Sequence, residues 1–86
     1  MLNMHDVANY VLWVTGDKRA QQPGGFYEKL VEAALGADAQ NLAAISLGFP
    51  TVATVVHIYK TMDVGHRAIE AIAGLVPLPE GTESDG

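Results

Sequence analysis

"LGFPTVATVV", Leu47 to Val56, is the stretch on which the fold turns. Gly48 suits a helix C-terminal cap in the left-handed conformation. Pro50 suits the first turn of the next helix, where its missing N–H has no partner to lose. "GFP" therefore reads as a junction between two helices. Beyond it Val52, Val55, Val56, Tyr59 and Met62 recur at helical spacing, which predicts a helix over 50–62. Thr51, Thr54, His57 and Lys60 lie largely on its other side.

The same junction can be aligned with a DNA-binding helix-turn-helix. Ala44 then supplies the small residue four positions before the glycine, and Leu47 the apolar residue just ahead of it. The positions six and nine residues after the glycine should be buried in such a motif, but here they are Thr54 and His57. The outer face would offer Thr51, Thr54, His57 and Lys60 to DNA, with one permanent cation and no arginine to read guanine. A helix-turn-helix-like DNA-binding regulator is therefore the alternative reading, and a plain helix junction the preferred one.

Upstream, Asp38 stands where an N-cap belongs, and a helix to about residue 47 turns Leu42, Ile45 and the following Phe49 inward. A helix over 26–35 places Phe26, Leu30, Val31 and Ala34 on one face, and Gly36 ends it. "TGDKRAQQPGG" (15–25) has no periodicity and is expected to be the mobile element of the domain. The first helix, 4–14, has Asn3 as N-cap and Gly16 as its stop. Downstream, Asp63 is expected to cap a helix over 64–75 that buries Ala68, Ile69, Ile72 and Leu75. "PLPEGTESDG" (77–86) has too few apolar groups to offset the entropy of ordering it. The expected fold is all-α: a compact bundle of four to five short helices over 1–76, with a disordered acidic tail over 77–86.

Composition sets the limits on this bundle. The chain of 86 residues is 49% apolar, 17% charged and free of cysteine, so neither disulfides nor a large core can hold it. The apolar excess predicts a homo-oligomer or a protein partner. The net charge of −5 opposes a phosphate backbone and argues against nucleic acid as a partner. No apolar run reaches the roughly 18 to 20 residues of a membrane span, and the N-terminus lacks the pattern of a secretory signal. The expected location is the cytoplasm, with no membrane contact.

Reactive constellations are sparse. Ser46 lies in "AISLG" rather than in a nucleophile elbow, and no cysteine can replace it. His5, His57 and His66 lack the paired spacing of metal ligands, and the glycines of 16–25 lack the Gly-Lys-Ser/Thr ending of a phosphate loop. Glu28 and Glu32, one turn apart, make an ordinary solvated face. No catalytic residue, metal or cofactor is therefore expected. What stands out is "NYVLWV", which distributes Tyr10, Leu12 and Trp13 around more of the first helix than one small bundle can cover. With Ile58, off the inner stripe of its helix, these are the expected protein-interface residues.

The ordered set "QPGGF" (Gln22 to Phe26), "LVEAA" (Leu30 to Ala34), Ala37-Asp38, Asn41 and "LGFP" (Leu47 to Pro50) resembles small proteins of unassigned function from actinobacteria and their bacteriophages. The resemblance covers about the central third of the chain. It implies a phage or actinobacterial accessory protein and carries no catalytic residue across. With the surplus of apolar surface, it leads to the expectation of a non-catalytic protein–protein interaction module that binds or inhibits a bacterial host protein.

Overall fold

In the computed structural model, which describes residues 2–76, the apolar runs become five helices with no strand among the described residues. The first, α1 (Met4–Val14), starts where the Asn3 side chain accepts the Asp6 amide at 2.8 Å. Then come α2 (Gly25–Gly36), α3 (Ala39–Gly48), α4 (Pro50–Thr61) and α5 (Gly65–Ile72). Asp38 caps α3 as expected, its carboxylate accepting from the Asn41 amide at 2.8 Å.

Two ends share one device. After α1, Gly16 (φ 109°) lets the Asp17 amide reach back to the Leu12 carbonyl. After α5, Gly74 (φ 80°) lets the Leu75 amide reach the Glu70 carbonyl. Each is a Schellman closure that satisfies carbonyls a helix end would otherwise strand. This closure ends α5 at Ile72, earlier than the expected residue 75.

Two expected caps are corrected. Gly48 is not left-handed; it is the last residue of α3, and Phe49 alone (φ −136°, ψ 68°) joins α3 to α4. The Phe49 amide still donates to the Ile45 carbonyl at 2.8 Å, so the chain needs no left-handed residue before Pro50 turns it. Asp63 does not cap α5, whose N-cap is Val64 without a side-chain bond. The helix starts against the end of α4, where Gly65 is buried.

The central helix is α4, which packs on each of the other four. Its Val52, Val55 and Val56 meet Val7, Val11 and Leu12 of α1, Val31 and Ala34 of α2, and Ile69 of α5 in one core. Because α2, α4 and α5 all pack on α1, the apolar circumference of that helix is absorbed. Leu12 is completely buried, which corrects its expected place at an interface. Burial of one such side chain contributes about 1.5–3 kcal/mol, against the ordering entropy of the chain.

The 15–25 segment is fastened rather than free. Ala20 and Pro23 are buried, and the Gln21 amide donates to Asn9 Oδ1 at 3.0 Å. Arg19 Nη2 reaches Asp17 at 2.6 Å and Glu70 of α5 at 2.7 Å, tying the loop across the bundle. The tail expected over 77–86 lies outside the described residues.

Candidate interaction surface

The helix least used by the core is α3. It touches only α4 and α2, and none of its ten residues is buried. Leu42 and Ile45 half-bury against the body, as does Phe49 just beyond. Those positions define the inner side of the helix. By helical geometry the opposite crest consists of Gln40, Ala43, Ala44 and Leu47, and all four are exposed, Leu47 by 89%.

Grooves run along both flanks of this crest. One lies between α3 and α4 and is lined by Leu42, Ala43, Ala53 and Ile58; the other lies toward α2, between Leu30, Ala33 and Ile45. From Ala33 to Tyr59, Asp38 is the one residue among Asp, Glu, Lys and Arg. An exposed helix in a small domain ordinarily carries charge on its outer face, and α3 carries none.

Aromatic side chains extend the surface from one end of α3. Tyr10 stacks on Tyr27 with centroids 6.0 Å apart, Tyr27 meets Phe26 edge-on at 5.1 Å, and Phe26 meets Phe49 at 5.8 Å. Phe26, expected inside, is 62% exposed. The inner positions of α2 are taken by Val31 and Ala34, one and two turns on, which leaves Phe26 at the rim.

The expected interface residues are thus dispersed. Tyr10 is half-buried in the aromatic row, Trp13 is half-buried with Lys18 Nζ 4.8 Å above its ring, Leu12 is core, and Ile58 lines the α3–α4 groove. Sequence reasoning missed Leu47, Ala43, Ala44 and Phe26. The run from Ala39 to Tyr59, without Asp, Glu, Lys or Arg, was the signal that could have found the three on α3; Phe26 lies outside it.

The alternative DNA-contact residues do not form a continuous cationic face. Thr54 and His57 are exposed but line the α3–α4 groove, and Thr51 is half-buried beside a separate recess near Leu2 and Tyr27. Lys60 Nζ donates to the Ala37 carbonyl at 2.7 Å.

Titratable groups meet between the 15–25 segment and α5. Asp17, His66 and Glu70 bring possible ligand atoms within 4.8 Å of one another, and His66 Nε2 stands 3.6 Å from Glu70. Arg19 already bridges the two carboxylates, so the cluster's negative charge is met from within. The Arg19 hydrogen bond holds Asp17 down at a pKa of about 2. His5 pairs with neighbouring Asp6 at 3.6 Å, and His57 stands apart on the groove, so the three histidines do not converge. Ser46 Oγ donates to the Ala43 carbonyl of its own helix. No protein-family model matches the chain, and no match was found among curated proteins or solved structures.

Proposed function

We propose that the chain is a non-catalytic protein–protein interaction module whose contact surface is the crest of α3 together with Phe26 and Phe49. The observation that carries this reading is a ten-residue helix with no charged and no buried residue, whose last turn carries Leu47 at 89% exposure. The inner side of such a helix is held by its own domain, while its apolar crest gains from being covered, as in recognition by an apolar helix face. The hydroxyl of Ser46 is engaged on its own backbone and the Asp17–Glu70 pair is engaged by Arg19, which leaves neither as a free reactive group.

In this reading the module is an accessory protein that acts inside a bacterial cell and binds or inhibits a host protein, which the resemblance of the central third to actinobacterial and phage proteins supports. Capture from an actinobacterial lysate with the tagged chain, beside its Leu47→Glu variant, tests the contact surface. A protein retained by the parent and lost with the variant supports the module. The reading is overturned if every interaction of the chain, with itself or with other proteins, is indifferent to Leu47→Glu.

A further inference from the structure

We infer that the partner covering α3 is a second copy of the same chain, packed α3 against α3 about a two-fold axis. This rests on the reading of α3 as a contact surface and names its occupant.

Charge admits that occupant on this face. At a net charge of −5, two copies repel along most directions of approach. The α3 face meets its own image without opposing like charges, since its crest and the residues lining both grooves include no Asp, Glu, Lys or Arg. A partner recognised through its charge would find no complement there.

Shape points the same way. A two-fold interface is self-complementary, so a projection and a recess that receives it must lie on one face. Leu47 is the projection, and the grooves beside Ile58 and beside Ile45 are the recesses. Ala43 and Ala44 on the crest keep the helix surface low, permitting axes to approach toward the short end of the usual separation of about 8–10 Å. The single large knob then enters the partner's groove instead of holding the helices apart.

Sedimentation equilibrium of the full chain tests this directly. The expected result is a species of about twice 9.1 kDa that dissociates on dilution. Leu47→Glu and Leu47→Lys should each return it to the mass of one chain with helical circular dichroism unchanged, because Leu47 makes no part of the core. Leu47→Lys moves the net charge from −5 to −4. If general repulsion governed association, that variant would strengthen it, so its dissociation assigns the effect to the face itself. Ala43→Glu, on the same crest, should reproduce the loss. Single-chain mass up to the solubility limit overturns the proposal, as does a dimer that both Leu47 variants leave intact. A monomer that still binds another protein through Leu47 overturns self-association alone; a monomer with no Leu47-dependent binding overturns the contact surface as well.

Discussion

Gly65 lies against the carbonyl of Ile58 so closely that a Cβ at position 65 would stand 2.5 Å from that oxygen and 2.8 Å from the oxygen of Tyr59. Both obstacles are backbone, so relief requires α5 to move away from the end of α4. That movement would loosen Ile69, which is completely buried.

Gly65→Ala should therefore destabilise the fold by about 1–3 kcal/mol, the range of an overpacked core site. Thermal unfolding checks it, since each kcal/mol corresponds to roughly 4–8 °C in a domain of this size. Gly25→Ala is the control. Its Cβ would meet open space in the first turn of α2, and an unchanged or raised melting temperature is expected.

Asn9 joins three parts of the chain from within α1. Its Nδ2 donates to the His5 carbonyl at 3.1 Å and the Ala73 carbonyl at 3.2 Å, while Oδ1 accepts the Gln21 amide. Asn9→Ala leaves the Ala73 oxygen and the Gln21 amide without that partner and should cost about 1–3 kcal/mol. Hydrogen exchange at the Gln21 amide should accelerate by more than exchange at the Val55 amide, in the middle of α4, because the lost bond is local to the loop.

The Asp17–Arg19–Glu70 bridge gives the loop a predictable acid response. Asp17 is lowered from 3.8 to about 2, first by the Arg19 side-chain hydrogen bond. A group depressed on folding stabilises fully above its unfolded value and loses that contribution as pH falls through the folded one. The contribution of Asp17 should be intact above about pH 4 and fade from there toward pH 2. Arg19→Met should return the Asp17 titration, followed by NMR, toward the ordinary carboxylate value and flatten the response of stability over that window.

Local signals carried most of the fold into the sequence. Asn3, Asp38 and Gly16 act through bonds to near neighbours, Pro50 through its fixed φ and missing N–H, and each stands where its chemistry predicts. Gly48 misled because a local bond took the place of a glycine cap, and Asp63 because a contact between helices won. Phe49 continues the ladder of α3 directly into Pro50, and Gly65 brings α5 hard against α4. The surface was less legible than the helices. Periodicity identifies an apolar face but does not say how many neighbours cover it, so α1 looked too apolar to hide although three helices surround it. The reverse held for α3, whose mild composition conceals that it has only two helical neighbours.

Leu12 and Leu47 make that contrast measurable, being chemically identical and opposite in burial, 0% against 89%. Leu12→Ala removes side-chain volume from the junction of α1 with the core and should cost about 2–5 kcal/mol, the large-to-small range for leucine. Leu47→Ala opens no cavity within one chain and should change the stability of the isolated fold by no more than about 0.5 kcal/mol. Urea unfolding at several protein concentrations separates this from any contribution of association, because subunit coupling makes the midpoint rise with concentration and a purely intrachain effect does not. The expected pattern is a large loss for Leu12→Ala at every concentration. For Leu47→Ala the loss should be confined to high concentration, where α3 of the parent chain is covered. Equal losses at all concentrations would instead place Leu47 in the support of its own fold, contrary to its exposure.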